Sequence, residues 1–356
     1  MRSDSRAVGI AAAIVTILIW TGFIVIARAM ALKSLSSWDI VACRIVGASL
    51  VLVPWGAWRA RQRRARGEPG GSWLGLSPLP AGTTAACGIA GGVAYGVLSY
   101  AGFVHAPAAH GSVLLPGMLP MWTALLSVVL LGERLSRRRL GALALILAGG
   151  ALVGGASLLS AFDGGDVWKG DLLLIAASAC WSTYAVLVRR GRLDPVDATI
   201  ATTVFAAIVY LPAWALLGGV GAIDSRIAVA PVGEIVFQAL WQGVGSVVVS
   251  GISFAIMIRA FGPVRSTMMT ALVPGLSALG AVLWLGEPLG ANLVAGLVLV
   301  TLGIVVGVRA AAQPEGPARD APPSDGAPAG ADRAEAPDAP DSSSGHASAA
   351  RPSGSR

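Results

Sequence analysis

Charge is scarce in this chain: Asp, Glu, Lys and Arg make up 13% of its 356 residues, against 55% apolar. Soluble domains carry about a quarter charged residues, so the deficit excludes an ordinary water-soluble fold and points to lipid as the solvent. Lysine is nearly missing, with Lys33 and Lys169 alone. Neither follows a glycine, so there is no phosphate-binding G-K-[ST] loop and no ATP motor by that route. Histidine is limited to His105, His110 and His346, and no G-x-S-x-G occurs. A membrane-embedded hydrolase or lipid transferase would need a nucleophile and base that the chain does not offer. Cys43, Cys87 and Cys180 all fall in apolar runs, with no C-x-x-C or Cys/His spacing. That predicts free buried thiols, no disulfide, no metal and no other cofactor.

What is present is hydropathy, with a mean of +0.71. Apolar runs bounded by charge or turn residues predict ten spans, near 8–28, 38–58, 81–104, 110–132, 139–159, 170–188, 197–218, 234–258, 264–285 and 291–309. Each is close to the roughly 20 residues that a helix needs to cross a bilayer. The first run follows Arg2 and Arg6 as a signal peptide would. It outlasts the usual apolar core of about 7–15 residues and has a counterpart in the second half of the chain, so it reads as a retained span. Beyond Arg309, residues 310–356 are Ala, Pro, Gly, Ser and Asp without large apolar side chains. They cannot bury enough surface to offset the entropy of ordering, which predicts a disordered tail.

A net charge of +7 would suit nucleic acid. The arginines instead sit in short clusters between apolar runs, as the positive-inside rule predicts. One side of the membrane collects sixteen Lys and Arg, from Arg2 and Arg6 through the Arg59–Arg66 and Arg134–Arg139 clusters to Arg265. The other collects four: Arg28, Lys33, Lys169 and Arg226. Both termini are therefore expected in the cytoplasm and the protein in the cytoplasmic (inner) membrane. The expected partners are the bilayer and a small molecule, with no nucleic acid; a homodimer with a second copy of the chain is a further candidate.

An internal repeat follows. Adding 154 to residues in 81–154 carries Ser112 to Ser266, Pro120 to Pro274, Gly132-Glu133 to Gly286-Glu287, Leu135 to Leu289 and Gly149 to Gly303. Trp20 matches Trp181 at an offset of 161, and Asp39 matches Asp197 at 158. The predicted organisation is a short N-terminus (1–7), a first five-helix repeat (8–159), a second (170–309) and the tail (310–356). Five spans per half is an odd number, so the halves have opposite topologies. Inverted repeats of this kind are characteristic of alternating-access transporters, whose substrate site lies at the repeat interface near the midplane.

Several side chains are candidates for that site. Gln238, Gln242 and Ser246 recur at helical spacing on the eighth span and continue to Ser250 and Ser253. The stripe fits a cavity wall, and it fits interhelical hydrogen bonding equally. Its repeat partner on the third span is Thr84, Gly88, Gly92, Gly96 and Ser99, a small-residue pattern that favours close helix packing. Arg44 is the one charged side chain well inside a span, at a cost of about 2.5–3.5 kcal/mol. It could bind an anionic group of a substrate, or pair with Asp39 or a helix C-terminus. Trp20 and Trp181 sit mid-span in equivalent places, with Tyr184 nearby and Tyr100 and Trp122 as weaker members of the set. Pro116, Pro120 and Pro274 lie inside the fourth and ninth spans and would kink them, as hinges or simply as structure. His105 and His110 lie at span ends, where a histidine without a role is the plainer reading. No carboxylate is predicted deep in a span, so a driving proton has no evident carrier.

Taken together, Pro120…Gly132-Glu133-Arg134-Leu135 and Pro274…Gly286-Glu287-Pro288-Leu289, each followed by a Gly-rich apolar span, resemble the EamA-type transporters of the drug/metabolite transporter superfamily. The resemblance covers residues 8–309, and Arg44 fits an arginine often found in the second span. It implies an all-α integral membrane protein: ten transmembrane helices as two inverted five-helix repeats around a central cavity, lined by helices 1–4 and 6–9 with 5 and 10 outside. It also implies a secondary transporter, mostly exporters of amino acids, other metabolites or toxic compounds, not an enzyme. Glu133 and Glu287 are implied to start helices and pack loops rather than bind substrate. Thr202 stands where Arg44 would repeat, and the tail is foreign to the pattern. A membrane sensor or scaffold working through that tail is the rival reading.

Overall fold

A computed structural model describes residues 3–312 except 69–70, 133–134, 161–164, 262–265 and 267–268. The expectations for Glu133, Arg134, Arg265 and the tail from residue 313 onward fall outside the described residues. Among the described residues the chain forms ten helices: α1 Ser3–Ala31, α2 Ser37–Ala65, α3 Ala81–His105, α4 Ala108–Leu130, α5 Arg137–Ser160, α6 Val167–Arg190, α7 Pro195–Gly219, α8 Val232–Phe261, α9 Leu272–Leu285 and α10 Ala291–Ala312. Nine of these are long and apolar enough to cross a membrane, and α9 is a shorter apolar helix. Large apolar side chains cover the outside, with Leu50 and Trp284 about three-quarters exposed. In water such a surface would drive association; in lipid it carries no penalty, and the helices satisfy their interior backbone polar groups themselves.

The repeat is visible in the backbone. Gly132 and Gly286 end α4 and α9 in the left-handed conformation, with φ of 68° and 66°. A residue with Cβ pays to adopt that conformation and glycine does not, which is the physical reason for the glycine in both G-E motifs. The Glu287 amide closes the cap on the Ala281 carbonyl at 3.2 Å. Both α3 and α8 widen into π-helical segments, over Gly88–Ala94 and Ala239–Val249. Residues 88–94 shifted by 154 become 242–248, so the two segments occupy equivalent places.

Packing between the halves is reciprocal. The first half sets α1 against α8 and α9 and α2 against α8; the second sets α6 against α3 and α4 and α7 against α3. Helices α5 and α10 pack on each other. There Gly149 and Gly296 each face the other's carbonyl, and Gly303 faces Ala142 and Ile146. Small residues at a crossing let the backbones approach, the usual way helices adhere in lipid.

Candidate functional site

Eight helices enclose a cavity of about 520 Å³. Its walls come from α1–α4 and α6–α9, and neither α5 nor α10 contributes. It occupies one half of the bundle. Val188, Pro195 and Ile258, all close to the α6–α7 and α8–α9 loops, line it. At the other end, Tyr100, Phe103, Ala108 and Leu174 are packed without exposure. The structure is thus open toward the α6–α7 end and closed toward the α1–α2 end.

Arg44 is the sole charged side chain among the lining residues. Its guanidinium lies over two neighbouring rings, 5.6 Å from Phe23 and 5.9 Å from Tyr95, whose own centroids are 6.4 Å apart. One nitrogen, Nη1, reaches Ser246 Oγ at 3.2 Å, and Tyr100 Oη and the Gln242 carbonyl at 3.5 Å each. Cation–π contacts are worth about 0.5–2 kcal/mol each, so rings and hydroxyls offset much of the burial cost. Nε and Nη2 have no partner among the described residues, and no carboxylate there pairs with Arg44. Asp39 is engaged elsewhere. It closes the capping box of α2 with Ser36 and accepts from Trp214 Nε1 at 3.1 Å, Ser225 Oγ at 2.7 Å and the Arg226 amide at 2.7 Å. The pairing with Asp39 that the sequence left open is therefore not made.

Aromatic rings form the rest of the wall. Trp20 contacts Phe254 at 5.2 Å, and Trp181 bridges Tyr95 at 4.8 Å and Tyr184 at 5.2 Å. Of the candidates chosen from sequence, Trp20, Arg44, Trp181, Tyr184, Ser246 and Pro116 line the cavity. Tyr100 stands just behind it, on Arg44. Gln238 and Gln242 are fully buried, and both polar atoms of each amide are unpartnered. They lie where α8 presses on α2, beside the contacts of Gly47 with Ala239 and of Gly243 with Arg44. Pro116 falls in the break between helical stretches Ala108–Leu114 and Leu119–Leu131, while Pro120 opens the second stretch, where no hydrogen bond is lost. Pro274 is in the first turn of α9.

Several contributors escaped the sequence reading. Phe23 and Tyr95 both face Arg44, and Thr199 and Thr203 add hydroxyls from α7. Nothing in uniformly apolar runs marks which face of a helix turns inward. Ionic contacts at the ends also went unseen. At the closed end Glu287 accepts the Ala108 and Ala109 amides, both at 2.9 Å, and pairs with Arg28 Nε at 3.7 Å. His110 Nδ1 sits 3.0 Å from Asp171 Oδ1, which is buried, so His110 is not a histidine without a partner. At the open end Asp197 pairs with Arg59 at 2.6 Å and Arg63 at 2.8 Å. In the α7–α8 loop a hydrogen bond from Arg226 to Asp224 raises the guanidinium above its ordinary value.

The chain is 24% identical over 220 residues to an uncharacterized transporter of Bacillus subtilis, YyaM, covering 61% of this chain and 70% of that one. It is 28% identical over 236 residues to a protein of Streptantibioticus cattleyicolor described as a probable terminal-alkyne amino-acid exporter, covering 62% of this chain and 73% of that one. A solved crystal structure of a protein, 22% identical, matches 88% of this chain and all of its own with a TM-score of 0.51, a likeness of fold. The EamA-like transporter family model matches residues 7–155 and 168–309. One match falls on each of the halves that enclose the Arg44 cavity, and the chain is a multi-pass membrane transporter belonging to the EamA-like transporter family.

Proposed function

We propose that this transporter exports small amphipathic metabolites bearing a carboxylate, amino-acid-like compounds among them, across the cytoplasmic membrane. The observation that carries the proposal is Arg44: a cation inside an aromatic cavity, with two nitrogens unpartnered and no carboxylate among the lining residues. A bidentate carboxylate complements those nitrogens, and Trp20, Trp181 and Tyr184 offer an apolar, stackable body site. The excess of arginine in the α2–α3, α6–α7 and neighbouring loops puts that end in the cytoplasm. The cavity then faces the cytoplasm, ready to load. Rocking of the halves 8–159 and 170–309 about the cavity would deliver the solute outside. The Streptantibioticus relative, named as an amino-acid exporter, supports the same substrate class.

Untargeted profiling of culture medium tests this, comparing cells that make the wild type, Arg44→Ala or neither. Truncating one partner of a buried charge pair costs about 2–5 kcal/mol, roughly thirtyfold or more in transport. The expected result is a carboxylate-bearing compound enriched outside only with the wild type. Indistinguishable media, with protein confirmed in the membrane, would refute export of a common metabolite.

A further inference from the structure

The cavity lining obeys the internal repeat. Trp20 and Trp181, Phe23 and Tyr184, Arg44 and Thr202, Gly92 and Ser246, and Leu119 and Val273 are repeat-related pairs, and both members of each line the cavity. Most lining residues whose counterparts do not line it belong to the open half; Tyr95 and Leu115, nearer the closed end, are exceptions. Thr123, Phe254 and Ile258 are the clearest, and their counterparts are Ser277, Tyr100 and Val104. Two of those three are anomalous where they now stand. Ser277 is fully buried on α9 with a hydroxyl that has no partner, and Tyr100 is 1% exposed with its hydroxyl turned to Arg44.

An inverted-repeat transporter reaches its opposite state when each half adopts the conformation of the other. We infer that Tyr100 and Ser277 form a second, exit-side substrate site, assembled around the same Arg44 when the α1–α2 end opens. Thr123, Phe254 and Ile258 are then packed away. Arg44 belongs to a pair that lines in both states, so the carboxylate keeps its partner throughout. What changes is the neighbourhood. Phe254, which contacts Trp20 in the loading state, is replaced by Tyr100. Thr123 gives way to Ser277, one hydroxyl for another, and Phe254 to a phenol, so both new groups are able to donate to a carboxylate oxygen. The orphaned hydroxyl of Ser277 thus acquires a partner in the other state. The exit site is more polar than the loading site, which favours release to water.

This inference rests on the transporter reading, but its decisive test needs no substrate. Single variants Tyr100→Cys and Ser277→Cys, and Thr123→Cys, Phe254→Cys and Ile258→Cys, are made in the full-length chain. Each is exposed in cells, and separately in inside-out vesicles, to a membrane-impermeant maleimide. The wild type, with Cys43 and Cys87 buried and Cys180 half-buried, sets the background. The first two are expected to react from one face only and the other three from the opposite face only. Reaction of both groups from one face, or no reaction of the first group from either, overturns the inference. Because Ser277→Cys is a near-isosteric change, a folding failure at Tyr100 leaves the test intact. A transport readout sharpens it: Tyr100→Phe lowers export of the profiled compound about tenfold, or 1.4 kcal/mol, and unchanged export removes its hydroxyl from the site. Should the wild type export nothing, the proposed function fails while the labelling still decides the exchange.

Discussion

Asp39 and Asp197 are the same residue of the repeat, placed at opposite ends of the bundle. Each lies in the first turn of the second helix of its half, each has no exposure, and each reaches across to the other half. Their partners differ in kind. Asp39 is held by the Ser36 cap, an indole, a hydroxyl and a backbone amide. Asp197 is held by two arginines, Arg59 and Arg63, whose side chains keep more than a quarter of their surface exposed. Inversion puts equivalent residues on opposite membrane faces, and topology stocks those faces differently, with arginine concentrated on one. Asp39 is consequently held by neutral donors, and Asp197 by cations that also see water.

The sharpest break of this comparison removes each carboxylate in turn. Asp39→Ala strands several donors in a packed region and is expected to cost about 3–5 kcal/mol. Asp197→Ala leaves Arg59 and Arg63 free to extend into water, and is expected to cost about 1–2 kcal/mol. Thermal unfolding in detergent, followed by the loss of monodisperse protein, measures both. Equal losses would show that the partners' chemistry does not matter and that packing alone sets the cost.

The second break lies at Glu287. Its carboxylate caps the start of α4 and faces Arg28, tying the second half to the first at the closed end. A carboxylate on the first amides of a helix contributes about 1 kcal/mol by capping, and somewhat more with the helix dipole. Glu287→Ala is expected to cost about 1–2 kcal/mol and to speed amide hydrogen exchange at Ala108 and Ala109 while exchange along α7 stays unchanged. Uniform acceleration would mean global destabilisation, and no acceleration would mean the tie is incidental.

The fold was legible because its determinants are local and redundant. Hydropathy set the spans and the doubled Gly-Glu marked the repeat, with Gly132 and Gly286 now seen to end helices through positive φ. The site was legible only where polarity broke an apolar run, as at Arg44, Trp20 and Trp181. Phe23 and Tyr95 sit in sequence as ordinary apolar residues, and their role depends on which face of α1 and α3 turns inward. The His110–Asp171 pair joins residues 61 apart on helices whose crossing no sequence pattern announced. Buried carboxylates were missed for a related reason, since Asp39, Asp171 and Asp197 sit near span ends where a sequence suggests water.

The smallest expected effect concerns the two α8 residues that the sequence marked most plainly. Gln242 shares a stripe with Ser246 and reads as cavity wall, yet its side chain is buried against α2 and both amide atoms lack partners. An unsatisfied buried polar group costs about 1–3 kcal/mol, and replacing it with an apolar group of similar shape is near neutral or stabilising. The repeat points the same way: the counterpart of Gln242 is Gly88, which packs on Phe205 and does not line the cavity. Gln242→Leu should therefore raise stability by up to about 1 kcal/mol and leave export unchanged, because Arg44 bonds the main-chain carbonyl of Gln242 and not its side chain. Unfolding and medium profiling on the same variant decide the point. A variant that is stabilised but silent in export would return Gln242 to the solute path, showing that its amide is left unpaired at the closed end in order to be used when that end opens.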